Sequence, residues 1–361
     1  MRSMARLCST AGPALWLGLA FYPLIALPAA AATGPWVENE QARVRLVAAR
    51  SARGPAGSSA GSAATIDLGL EFELETGWHV YWSNSGDAGY PPRLDLSRTP
   101  ALAGARLLFP APHRFDLPGG LVSFGYEDHV LYPIAPGFEV PADGEGPLAP
   151  VLARLDYLVC REECIPYTAE LTLDLEAARR RDGPEGVATR ARLAATRASL
   201  PAGPGAIAGA PQVTLRVEPG PASSLVLVFA TSGGALRAAG PDLFFEVHPL
   251  FALDRPQFTA AADGLRFRVP FRALDETRPL PATTTFAWTL TGLERDAGAA
   301  ADSSSGALGV ALAGSATVEI PHLRNSESPP GAGRPSNLWM GVALLAGVLA
   351  LFLLLRSRRS R

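Results

Sequence analysis

Ile66-Asp67-Leu68-Gly69-Leu70-Glu71-Phe72-Glu73-Leu74 alternates apolar and polar residues without a break. A period of two sends every second side chain to the same face, so this stretch reads as a β-strand with one apolar face. Upstream, Val44 and Leu46 alternate with Arg43 and Arg45 in a second such strand, and the Gly/Ser/Ala-rich residues 52–64 read as the loop between them. Downstream, Thr76-Gly77 marks a turn and Trp78-His79-Val80-Tyr81-Trp82 reads as the returning strand.

The same grammar continues. Residues 83–92 (SNSGDAGYPP) are dense in turn formers, and Pro110, Pro112 and Pro118 interrupt any helix. Leu107, Phe109 and residues 122–133 supply more short strands. Ala153, Leu155 and Tyr157 alternate before a cysteine pair, and Leu171, Leu173 and Leu175 after it. Short strands, frequent Gly/Pro turns and no helical period predict an immunoglobulin-like β-sandwich over residues 33–178.

Residues 179–211 change character. They are rich in Ala, Arg and Leu, and then in Gly, Ala and Pro, which predicts a short helical linker with a helix from about Pro184 to Leu200. Alternation returns at Val213, Leu215 and Val217, and again through Phe267, Trp288 and Ile320, which predicts a second sandwich over residues 212–322 with a spacing or docking role. The expected fold class is therefore all-β: two immunoglobulin-like β-sandwiches, a helical linker and one C-terminal transmembrane helix.

The ends say where these units sit. Arg2 and Arg6, an apolar run and Ala29-Ala30-Ala31-Ala32 have the form of a secretory signal over residues 1–32, whose removal takes Cys8 with it. Residues 338–355 carry no charge and are just long enough to span a bilayer; Arg356, Arg358, Arg359 and Arg361 follow, which places residues 356–361 in the cytoplasm. Residues 323–337 (ESPPGAGRPSN at their core) read as a flexible tether. The bulk of the chain is then expected outside the cytoplasmic membrane. The formal net charge is -2 with both signs dispersed, so nucleic acid is not an expected partner.

The chemistry concentrates in LDYLVCREECIP (155–166), which holds Cys160 and Cys164. Three readings stand open on spacing alone: a redox-active pair, a structural disulfide, or two metal ligands. A disulfide closing so short a loop contributes only about 2 kcal/mol, little for a domain with its own core. Glu162 and Glu163 would raise a thiol pKa and Arg161 would lower it. His79, His113 and His129 offer no pair at ligand spacing on one element, so a surface or hydrogen-bonded setting suits each, and neither metal nor cofactor is expected.

Four motifs in order, WHVYWSNSGDAGYPP (78–92), FPAPHRF (109–115), FGYEDHVLYPI (124–134) and LDYLVCREECIP, resemble the N-terminal periplasmic domain of the DsbD/ScsB family of thiol:disulfide interchange proteins, closest to its ScsB-like branch. The resemblance implies a thiol:disulfide oxidoreductase whose cysteine pair accepts electrons from a membrane partner and reduces periplasmic thiol/disulfide proteins. It also implies a cap over the pair, which falls here on Phe124-Gly125-Tyr126-Glu127. Tyr81 and Trp82 are candidates to line the site, and Glu127 or Asp128 to move a proton; core aromatics and solvated turn acids are the ordinary alternatives. Cys164 is the expected first nucleophile. The polytopic membrane domain and the thioredoxin-like domain of full-length members have no counterpart in these 361 residues, so the expected electron donor is a separate membrane protein. The expected location is the inner membrane, single-pass, with the bulk in the periplasm. A non-catalytic binding or assembly module with a structural disulfide is the alternative.

Overall fold

The computed structural model describes residues 33–51, 65–140, 146–179, 184–221, 224–262, 264–295 and 309–321. The expected signal, tether, membrane helix and basic tail lie outside the described residues, as does the loop 52–64. Among the described residues no helix is long and apolar enough to cross a membrane.

The first unit runs β1 (Val37–Glu38), β2 (Ala42–Arg50), β3 (Thr65–Leu74), β4 (His79–Gly86), β5 (Arg93–Asp95), β6 (Arg106–Leu107), β7 (His113–Asp116), β8 (Val122–Glu127), β9 (His129–Glu139), β10 (Val151–Cys160) and β11 (Cys164–Leu173). Helices α1 (Leu175–Arg179) and α2 (Pro184–Ser199) follow. The second unit runs β12 (Gln212–Pro219), β13 (Leu225–Ser232), β14 (Leu236–Phe245), β15 (Phe251–Leu253), β16 (Gln257–Ala261), β17 (Gly264–Ala273), β18 (Thr283–Arg295) and β19 (Gly309–Glu319).

The first unit is a two-sheet sandwich. One sheet has the order β1-β2-β3-β9-β6; the other has β11-β10-β4-β8-β7, with β5 also on β10. The alternating strand β3 lies at the centre of its sheet. Its apolar row, Ile66, Leu68, Leu70 and Phe72, is buried and meets the equally buried row Val151, Ala153, Leu155, Tyr157 and Val159 of β10. Phe72 packs edge-on against Tyr132 and Tyr157, at 5.9 and 5.1 Å between ring centres.

An alternating strand ordinarily wets its polar face, but here α2 covers it. Leu193 of α2 joins Val47, Ala49 and Leu131 in a small buried cluster. Gly69 lies beneath them, where a Cβ would meet Leu131 and Leu193 side-chain carbons at 2.8 and 2.9 Å. Glu71 is fully buried on this face and is ringed by basic side chains. Arg45 reaches it at 2.8 Å and His129 at 3.0 Å, and Arg192 of α2 pairs with it directly. The helix expected at about Pro184 to Leu200 is thus present as a strap held by a buried charge.

The second unit has a five-stranded sheet, β12-β13-β17-β15 with β16 on β17, and a three-stranded sheet, β14-β18-β19. Phe229, Phe267, Phe286, Trp288 and Leu290 form its core. It does not stand apart from the first unit. Phe244, from β14, is buried within the first unit's core cluster, edge-on to Trp82 and Phe124. Beside it Arg114 of β7 makes two 2.9 Å bonds to Asp242. That pairing is bidentate and the Arg114 side chain is almost fully shielded, a geometry that suits a rigid joint.

Burial pushes the Glu71 carboxyl up, but hydrogen bonds from His129 and Arg45 and the charges of Arg192 and Arg45 outweigh it and hold it at about 2. A carboxyl depressed on folding stabilises the fold above its unfolded pKa, and that stability drains as pH falls toward the folded value. Glu71→Gln should cost about 2–3 kcal/mol at neutral pH in urea unfolding, less than a fully sealed pair because Arg192 is part-exposed. The difference from wild type should shrink as pH falls below about 4.5.

Candidate functional site

Cys160 ends β10 and Cys164 begins β11, directly opposite each other, and they form a disulfide with 4.2 Å between Cα atoms. The turn between them is closed by the Arg161 N–H donating to the Glu163 carbonyl at 3.1 Å. The two sulfurs sit in unlike settings. Cys160 is 1% exposed, whereas Cys164 is exposed. Arg161 lies over the Trp78 ring, 5.0 Å from its centre.

Strand pairing decides what else reaches the sulfurs. Cys160 pairs with His79 on β4, and His79 with Glu127 on β8. Cross-strand partners share a face, and so do residues two apart. Tyr81 is therefore carried to the disulfide's face. Its hydroxyl lies 2.6 Å from Cys160 Sγ, to which it donates, and 3.4 Å from Cys164 Sγ. Tyr81, Leu158 and Cys160 make a buried apolar cluster with Tyr90 against it. Gly89 presses on the Tyr81 ring: a Cβ there would stand 2.2 Å from Cζ, and its φ of 90° is one that L side chains avoid. Burial raises the Tyr81 phenol to about 12, so it remains a donor throughout the physiological range.

His79 supports this row from the next position. Its ring stacks on Phe115 at 4.6 Å and meets Tyr81 edge-on at 5.3 Å; Nε2 is 3.1 Å from Ser123 Oγ. Burial pushes His79 down to about 4, so it is neutral at pH 7.

The same parity separates the other sequence candidates. Phe124 and Tyr126 occupy the opposite face of β8. Phe124 packs on Phe244 and beneath Arg114, and Tyr126 donates to the Pro110 carbonyl at 2.7 Å and packs edge-on against Tyr132. Trp82 faces that core as well. Glu127 is exposed opposite His79 on the disulfide's face, and Asp128 is exposed in the following turn with φ 59°. The structure thus brings Tyr81 to Cys160 and Cys164. The residues lying against Tyr81 are Gly89 and Tyr90, together with His79, and sequence reasoning passed over all three as site residues. Their signals, a turn-rich GYPP segment and a histidine two residues before a tyrosine, acquire meaning only through the pairing. Among the described residues no cluster of three or more His, Cys, Asp or Glu could hold a metal ion.

An immunoglobulin-like sandwich with a cysteine pair closing one hairpin is the architecture of a β-sandwich thiol–disulfide domain. Residues 43–176 match the family model described as thiol:disulfide interchange protein DsbD, N-terminal, and this unit is a DsbD-type N-terminal domain. The fold of the chain is similar to the crystal structure of the N-terminal periplasmic domain of ScsB from Proteus mirabilis. The TM-score is 0.57 at 18% identity, over 80% of this chain and 99% of that one, a span larger than the first unit alone. A search of curated proteins finds no match.

A histidine whose pKa is depressed on folding gives stability that is complete above the unfolded value and is lost as pH falls from about 6.5 to about 4. The loss attributable to His79 should be roughly 3 kcal/mol across that window. His79→Phe keeps the stack on Phe115 and should flatten this part of the profile in urea unfolding at a series of pH values.

Proposed function

We propose that this chain is a membrane-anchored periplasmic thiol:disulfide interchange module. Its Cys160/Cys164 pair passes electrons between a separate membrane reductase and periplasmic partner proteins. One observation carries the reading: the disulfide joins an exposed residue to a buried one, and the Tyr81 hydroxyl stands within reach of both sulfurs.

Each step balances within that geometry. A donor thiolate attacks Cys164 Sγ, the sulfur of the exposed residue. The Sγ–Sγ bond breaks and its electron pair leaves on Cys160 Sγ, where the Tyr81 O–H donates a hydrogen bond to the new thiolate. The donor's second thiol then displaces Cys164, and the pair is reduced by two electrons and two protons. In the forward transfer Cys164 attacks a partner's disulfide and forms a mixed disulfide. Cys160 then attacks Cys164 Sγ and expels the partner's thiolate. A donor that cannot ionise at neutral pH suits this task, because a bond to a thiolate is stronger than one to a neutral sulfur.

The compartment belongs to the same reading. It is supported by the signal-like residues 1–32, the apolar residues 338–355 with their arginine tail, and the periplasmic origin of the similar ScsB domain. A permanently oxidised structural disulfide is the competing account. The first unit has an extensive core of its own, and a bond closing so short a loop adds only about 2 kcal/mol to it.

Trapping separates the two accounts. Cys160→Ala, reduced and offered an oxidised periplasmic thioredoxin-like protein, should accumulate a mixed disulfide through Cys164. Cys164→Ala should trap about tenfold less, because its remaining thiol is buried. Absence of any trapped species with Cys160→Ala would favour the structural bond.

A further inference from the structure

The register of β4 on β8 breaks between Tyr81/Gly125 and Gly86/Ser123, so residues 82–85 stand opposite Phe124 alone. Such a bulge frees backbone groups and redirects side chains. The Tyr81 carbonyl, at its start, accepts the Tyr132 hydroxyl at 2.9 Å. The bulge itself is taken up by the second unit. Trp82 meets Phe244, Ser83 Oγ donates to Glu246 at 2.9 Å, and Asn84 Nδ2 donates to the Phe245 carbonyl at 2.7 Å.

Asn84 also faces the other way. Its Oδ1 accepts the Gly86 N–H at 3.0 Å. From there the chain turns back over Tyr81: Ser85 Oγ donates to the Gly89 carbonyl at 2.9 Å, and Asp87 exchanges backbone and side-chain bonds with Val122 at 2.8 Å. Gly89 and Tyr90 then close on the Tyr81 ring. One amide side chain thus joins β14 of the second unit to the segment that holds Tyr81 against the sulfurs. On the side of the second unit that segment borders a cleft of about 350 Å³ lined by Asn84, Asp87, Arg114, Phe124, Glu246 and His248, among others. Polar links from Ser83 to Glu246 and from Asn84 to the Phe245 carbonyl cross the cleft edge.

We propose that Asn84 is a positioning residue for the exchange reaction, through which the second unit sets the aim of the Tyr81 hydroxyl and so the reactivity of Cys160–Cys164. The second sandwich is then part of the redox site's scaffold rather than a spacer. This rests on the exchange function proposed above. Loss of the Asn84 link lets residues 85–90 and the Tyr81 ring shift, and the departing Cys160 thiolate loses its donor. The pair becomes slower to reduce, and its equilibrium moves toward the disulfide.

The test uses the full chain. Asn84→Asp keeps the acceptor for Gly86 but sets a carboxylate against the Phe245 carbonyl. Phe244→Leu disturbs the same joint without touching a polar group and serves if Asn84→Asp does not fold. The rate of reduction by dithiothreitol and the equilibrium with glutathione are measured for each, alone and with Tyr81→Phe. The expected result is about a threefold or greater loss in rate and a matching shift toward disulfide, the effect of one hydrogen bond, with no further change in the Tyr81→Phe background. Wild-type rates and equilibrium in both folded variants would overturn the positioning role while leaving the exchange function in place. A wild-type pair that glutathione cannot reduce would instead overturn the exchange function, and the positioning role with it.

Discussion

The pairing of Cys160 with His79 is the constraint on which the site depends. It places the disulfide opposite the start of β4, and strand parity then brings Tyr81, two residues on, onto the same face. A slip of one residue would send Tyr81 into the core, where Val80 and Trp82 now lie, and would leave the sulfurs without their donor. The register is protected by what each face must bury. Val80 and Trp82 have no other apolar place to go, and His79 is locked between Phe115 and Ser123.

Two halves of the molecule converge on this row from outside the hairpin. On the far sheet, Glu71 and its three basic partners tie α2 over β3, which secures the sandwich whose other sheet bears the disulfide. On the near side, Phe244 and the Arg114–Asp242 pair seat the second unit against β4, β7 and β8. The buried sulfur, its donor and the segment over that donor belong to the first unit, but the segment's outer edge is held by the second. That arrangement leaves Cys164 open to a partner while keeping Cys160 and Tyr81 shielded from solvent.

Much of this is legible in the sequence where the cause is local. The alternation through β3 identifies a strand because its burial is set by a period of two, and the apolar run before Cys160 marks the strand that displays it. The helix over Pro184–Ser199 is legible from composition. What is not legible arises between distant segments. Glu71 looks like one more polar residue until α2 lies over it, and Gly69 like a weak strand residue until Leu193 needs the space. The resemblance points to Phe124-Gly125-Tyr126-Glu127 for the cover over the pair. In the structure Phe124 and Tyr126 face the core, and Gly89 and Tyr90 lie against Tyr81. Phe124 and Tyr126 face inward by strand parity, Tyr126 pairing with Val80, while the segment over Tyr81 is set by the bulge at residues 82–85, which no periodicity reveals.

The central claim is that Cys160–Cys164 is a working pair rather than a staple. The reduction potential of that bond tests it most directly, measured by equilibration of the protein with glutathione buffers. A value near about -200 mV is predicted, and a value below about -300 mV would contradict the account, because a bond that stable resists the donors of an exchange chain.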